Sequence, residues 1–334
     1  MRKIPSLLLS ACFLALPLSA CGEKDAGGLK KLKINEVTHS IFYAPLYLAD
    51  ALGYFEEENI KIELTNGGGA DSVMSAVLSG DSHVGFCGPE AALYVLLGGS
   101  TDAPEVFGQL TQKDGSFLVS RIEEPNFQWT DLKGKEILAG RKGGVPAMTF
   151  EYVLKEHNLF DGVDLTLNYD VAFNLMTSAF EGGTADYCTM FEPVASEYQA
   201  AGKGYIVASV GEASGDVPYT CFTAKKSWLK KNGETADGLL RAVMKATKYL
   251  HETPSSQVAP YLKDYFASTP VSSIQTALES YLAIDAWSKN MAMTKESFER
   301  LQDIMQNAGE LTTRVDFEDL VDTQRALKIY EEVY

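Results

Sequence analysis

Cysteine, histidine and positive charge are all scarce in this chain. Its 334 residues include only four His. Apart from Cys12 and Cys21 near the N-terminus, the thiols are Cys87, Cys188 and Cys221. Their spacing is irregular and no Cys-x-x-Cys occurs, which excludes a disulfide framework and a zinc ribbon as expectations. Each sits in an apolar, strand-like run and reads as a small buried residue. His39, His83, His157 and His251 fall in no metal-ligand spacing, so no metal and no cofactor is expected. Lys and Arg number 29 against 45 Asp and Glu, a formal charge of −16. That balance argues against nucleic acid or an anionic membrane surface as a partner. The glycines at 67–69 are not followed by the Lys-Ser/Thr of a phosphate loop, no GxGxxG follows the first strand, and there is no GxSxG elbow. A catalytic reading has little to stand on.

Long apolar runs are missing too, except at the start. Arg2 and Lys3 precede an apolar stretch over 4–18, followed by Leu18-Ser19-Ala20-Cys21. This has the order of an export signal and is too short for a membrane span. Its end resembles a bacterial lipobox, which implies lipidation of Cys21 after cleavage at residue 21. Residues 22–31 read as a tether. The mature protein is expected to be exported and anchored to the membrane by lipid, facing the periplasm or the cell exterior, with a monomeric body.

What the chain does have is an internal echo. Residues 72–90 read SVMSAVLSGDSHVGFCGPE and residues 174–192 read NLMTSAFEGGTADYCTMFE, 102 positions apart. At that offset Met74 falls on Met176, Gly80 on Gly182 and Glu90 on Glu192. Each copy is an amphipathic helix, a Gly turn, a short buried strand and an acid just past it. His39 onto Arg141, Leu52 onto Leu154 and Asn66 onto Asn168 extend the echo upstream. Two like lobes are expected, facing one another across a cleft.

Strands and helices alternate up to about residue 225, so each lobe is an α/β unit around a mostly parallel sheet. The crossovers expected at 116–121 and 218–223 make a two-strand hinge. Lobe 1 comprises 32–118 and 222–334, and lobe 2 comprises 119–221. Beyond Lys225 the pattern reads as essentially all helix, over 237–251, 255–267, 271–288, 295–308 and 317–332, forming an extension that packs on lobe 1.

Loops after parallel strands line such a cleft. They bring the aromatic faces of Phe42, Tyr43 and Phe191, the donors His39, Ser116, Arg141 and Lys142, and the carboxylates Glu90 and Glu192. Gly69 and Gly144 head helices whose first N–H groups favour polar atoms. Each has a plainer use. His39 can cap a helix, the aromatics can fill core, the glycines can serve turns, and the two acids can complement helix dipoles.

Several of these stretches share one likeness. His39-Ser40-Ile41-Phe42-Tyr43-Ala44-Pro45-Leu46-Tyr47, then Gly53-Tyr54-Phe55, resembles the opening of solute-binding proteins of the nitrate/sulfonate/taurine and thiamine-pyrimidine-precursor group. Residues 71–80 and 84–90, Asp131-Leu132-Lys133-Gly134-Lys135 and residues 141–146 are similar to the same group, in order. The likeness covers 32–225 well and the tail loosely. It implies a periplasmic-binding-protein fold and a non-enzymatic protein that hands a small cargo to an ABC permease and its ATPase. The cysteine-rich motif of pyrimidine-making relatives is not found. Between cargo classes, a sulfonate, taurine or nitrate wants Arg, Lys and helix N-termini and tolerates buried acids badly. A pyrimidine-type thiamine precursor or related N-heterocycle wants carboxylates and aromatic faces. Glu90 and Glu192 with three aromatics favour the heterocycle.

Overall fold

In a computed structural model the structure describes residues 27–172 and 175–334. The expected signal, Cys21 and the first part of the tether lie outside the described residues. Two five-stranded sheets form the molecule. The first is built from β1 (Lys30–Glu36), α1 (Ala44–Ala51), α2 (Tyr54–Glu57), β2 (Ile60–Asn66), α3 (Ala70–Ser79), β3 (Val84–Cys87), α4 (Pro89–Leu97) and β4 (Pro104–Thr111). The second contains β5 (Ser116–Ser120), β6 (Glu136–Leu138), α5 (Val145–Glu156), β7 (Thr166–Asn168), α6 (Met176–Glu181), β8 (Tyr187–Phe191), α7 (Val194–Ala200), β9 (Tyr205–Ser209) and α8 (Val210–Ser214). The chain then returns through β10 (Thr220–Lys225), α9 (Lys226–Lys231) and α10 (Gly233–Glu252).

The strand orders are β2-β1-β3-β10-β4 and β7-β6-β8-β5-β9. Each lobe therefore receives one strand from across the hinge. β10 lies antiparallel between β3 and β4, and β5 lies antiparallel between β8 and β9. The two sheets are thus mixed, with one guest strand each. The 102-residue offset holds through both lobes, carrying β3 onto β8, α1 onto α5 and β5 onto β10. The connecting segments, 112–115 and 215–219, are short and run side by side, with Lys113 Nζ 2.9 Å from Asp216 Oδ1.

The tail departs from the all-helical expectation. After α11 (Ser255–Val258), a single 3-10 turn follows at Ala259–Leu262, where Pro260 denies the ladder a donor. α12 (Val271–Ala283) stops before Trp287, because Asp285 takes a positive φ of 53°. Residues 284–293 then run along the edge of β4, with Gln112 N–H donating to Ala286 O, Ser288 N–H to Leu110 O and Gln109 N–H to Met291 O. α13 (Lys295–Asn307) follows. The stretch expected at 317–332 is two helices, α14 (Phe317–Leu320) and α15 (Gln324–Val333), broken where Val321 bridges to Val106. A long apolar period looks alike whether it faces a helix neighbour or a sheet edge, and here the edge won.

Candidate ligand-binding site

The ends of β1, β3 and β8 and both connecting segments converge between the lobes, and aromatic rings fill that space. Phe42 is fully buried and central. Its ring centroid lies 5.9 Å from Phe191, 5.8 Å from Tyr219 and 4.8 Å from Tyr281. Tyr43 packs edge-on to Phe86 at 4.6 Å. Trp287 holds Phe42 from behind, its Nε1–H donating to the Phe42 carbonyl at 2.9 Å. Phe42, Tyr43 and Phe191, expected from the sequence, do come together here. Tyr219 comes from the crossover expected at 218–223, and Tyr281 and Trp287 from the stretch expected as a helix over 271–288, none of them singled out from the sequence.

Two buried carboxylates face this cluster. Glu90, in the first turn of α4, is 4% exposed, and its Oε2 has no hydrogen-bond partner. Burial pushes its carboxyl up to about 7, against the pull of its own N–H and of Arg141. One turn on, Tyr94 Oη is likewise buried without a partner. Asp114, in the first connecting segment, is 0% exposed. Its Oδ1 accepts from Ser116 N–H at 2.7 Å and from Ser116 Oγ–H at 2.6 Å, which uses the Ser116 hydroxyl. Burial raises this carboxyl to about 7 as well, against the bonds from Ser116 and from Tyr219. Tyr219 Oη thus interacts with Asp114 directly. The same field reaches Tyr43 and Glu90, so these four groups share one region.

The echoed acids have parted ways. Glu192 is buried, but its Oε1 accepts from Ser196 Oγ–H at 2.6 Å and its Oε2 from Ser196 N–H at 3.0 Å. It is committed to the start of α7, and its N–H donates to Tyr281 Oη at 3.1 Å. His39 is also committed. Nδ1 sits 2.9 Å from Glu36 Oε1 and Nε2 3.0 Å from the Tyr265 carbonyl, with the ring stacked on Phe266. The Glu36 bond raises its pKa. Arg141 lies at the rim, where Nη1 meets Asp71 Oδ2 across the lobes at 2.7 Å. Lys142 stands 6.0 Å from the Tyr169 ring centroid. Gly69 and Gly144 precede the first turns of α3 and α5, one in each lobe. Gly69 is the N-cap of α3, and Asp71 in its first turn pairs with Arg141.

The arrangement places aromatic rings beside two carboxyls able to accept hydrogen bonds. Among the described residues, no group of three or more His, Cys, Asp or Glu is placed to hold a metal.

Comparison with known proteins gives the family and the fold. The NMT1/THI5-like family model matches residues 41–257. The chain belongs to that family. It is 40% identical over 324 residues, covering 97% of this chain and 96% of the relative, to YtlA of Bacillus subtilis (strain 168), a protein named only as a candidate binding protein. Among solved structures, the alkanesulfonate-binding protein SsuA of Xanthomonas axonopodis pv. citri, bound to MOPS, superposes with a TM-score of 0.70 at 18% identity. That match covers 90% of this chain and 99% of SsuA. The periplasmic nitrate-binding protein NrtA of Synechocystis PCC 6803 gives 0.72 at 15% identity, covering 91% of this chain and 89% of NrtA. At such identities the likeness shows the fold, and the periplasmic-binding-protein expectation is borne out. This NMT1/THI5-like chain keeps the fold of those structures.

Proposed function

We propose that this protein is the extracytoplasmic solute-binding component of an ABC importer, anchored through Cys21, and that its cargo is a pyrimidine-type thiamine precursor or related N-heterocycle. It captures the cargo between the lobes and presents it to a permease and its ATPase. It performs no chemistry of its own. One observation carries the cargo class: Glu90 Oε2 is buried and unpartnered, in a region whose field reaches Tyr43 and Tyr219. An anion there would meet repulsion and a desolvation penalty of several kcal/mol, whereas a ring N–H or amine gains a charge-assisted bond of roughly 1.5–3 kcal/mol. The sulfonate or nitrate alternative depends on Arg141 and Lys142. Arg141 pairs with Asp71 at the exposed rim, and Lys142 stands over Tyr169.

Mass spectrometry of small molecules released from natively purified protein tests this. An aromatic nitrogen base is expected. Recovery of a sulfonate or nitrate at one equivalent overturns the cargo assignment while leaving the transport role in place.

A further inference from the structure

The first cleft loop, 38–43, is tied to the tail at Phe42, through Trp287, and at His39, through the Tyr265 carbonyl. The His39 tie differs in kind. Glu36 Oε1 lies 2.9 Å from Nδ1 and the Tyr265 carbonyl oxygen 3.0 Å from Nε2, and both oxygens accept hydrogen bonds. A neutral imidazole donates from one nitrogen only, so both bonds form together only in the imidazolium. Glu36 is 2% exposed, and its other oxygen accepts from Tyr47 Oη–H at 2.5 Å. The ring stacks on Phe266 at 4.7 Å and tilts against Tyr47 at 4.9 Å. Other charges nearby are engaged elsewhere or exposed. Asp50 on α1 accepts from the Tyr265 hydroxyl, and Lys263 donates to the Ala267 and Thr269 carbonyls at 2.8 and 2.9 Å. Glu56 and Asp264 are exposed and act on the Tyr265 phenol. Glu36 is the charge that acts on the His39 ring, and its bond holds the ring's pKa above the ordinary 6.5. The His39 side chain is 35% exposed, so solvent exchanges its protons directly.

We propose that His39 is a pH-sensitive latch between the first cleft loop and the tail segment 259–269. With both ring nitrogens protonated, the imidazolium bridges Glu36 and the Tyr265 carbonyl and locks the segment, whose 3-10 turn packs on α1. As pH rises, the ring gives one proton to solvent. Glu36 is the stronger acceptor, so the remaining N–H stays at Nδ1 and the bond to Tyr265 is the one lost. The segment then opens locally. The latch's contribution is fully present below 6.5 and is lost as pH rises through the higher value of the folded ring. The Trp287 tie carries no titratable group, so Phe42 keeps its place throughout. The device is independent of which cargo the cleft takes.

The test uses the full chain, labelled at histidine, across pH 5 to pH 8. NMR of the imidazole gives the His39 titration and the protonation of each ring nitrogen. Amide hydrogen exchange gives local opening at Tyr265, Phe266 and Thr269, whose N–H groups bond within the segment. Amides of α5 in the other lobe are the reference for global unfolding. His39 is expected to titrate above 6.5, with both nitrogens protonated below that point. Protection at these amides, corrected for intrinsic rates, should fall about fivefold or more across that titration while α5 stays level. His39→Phe keeps the ring stack and removes both donors, so its protection should be low at every pH. The wild-type data decide the matter if that variant does not fold. A titration at or below 6.5, a ring with one bare nitrogen at pH 5, or protection that falls equally in α5 or in His39→Phe overturns the latch.

Discussion

At Gly88 a single hydrogen atom leaves room for the acid that defines the site. A Cβ there would stand 2.0 Å from Glu90 Oε2, the far end of a side chain that can swing away. Gly88→Ala should therefore displace the carboxylate at small cost to the fold. Cargo affinity is expected to fall by about tenfold or more with the melting temperature nearly unchanged, read by titration beside thermal denaturation. Glu90 and Asp114 also set a pH signature. Both carboxyls are raised to about 7, from ordinary values of 4.5 and 3.8. Between those limits the folded chain keeps protons that the unfolded chain has released. Their contribution to stability is therefore fully present at low pH and is lost as pH rises through about 7. Glu90→Gln removes one of these terms, so its stability relative to the ligand-free wild type should improve from pH 5 to pH 8. Melting temperatures across that range check the sign. Residue type and position made Glu90 visible from sequence. Its difference from Glu192 was not, because Ser196 decides it, one helical turn beyond the echo.

Among the elements, the sequence shows most where periodicity and chain order agree. Both sheets, their guest strands and α10 follow from alternation, Gly turns and the repeated offset. The tail shows where that reasoning stops. Residues 284–288 fall in the helix expected over 271–288, but open donors and acceptors on β4 draw 284–293 into an extended course. That course delivers Trp287 to Phe42. Replacing Trp287 by Phe leaves a buried carbonyl unpaired and a gap beside it. A loss of about 2 kcal/mol or more is expected in denaturant unfolding, with weakened cargo binding because Phe42 loses its support. Asp114 and Tyr219 were illegible for a related reason. They belong to connecting segments without periodicity, and only the paired crossing of the hinge brings them together.

For the whole molecule, two lobes joined by two short segments suit closure about a cargo that touches both. The rim contact between Asp71 and Arg141 crosses the lobes, yet both side chains are largely exposed, so it is worth about 1 kcal/mol or less and is screened by salt. Arg141→Ala should shift stability by no more than that. α13 also reaches lobe 2, with Lys155 donating to the Asn307 carbonyl and Arg300 to Ser214 O. The tail therefore spans both lobes. The central claim is that buried Glu90, with one oxygen unpartnered, selects a nitrogen base over an anion. Titration of wild-type and Glu90→Gln protein with 4-amino-2-methylpyrimidine and with methanesulfonate tests it most directly. The pyrimidine should bind the wild type and lose about tenfold or more in the variant, with methanesulfonate bound by neither. Tight methanesulfonate binding to the wild type, tightened further by Glu90→Gln, contradicts it.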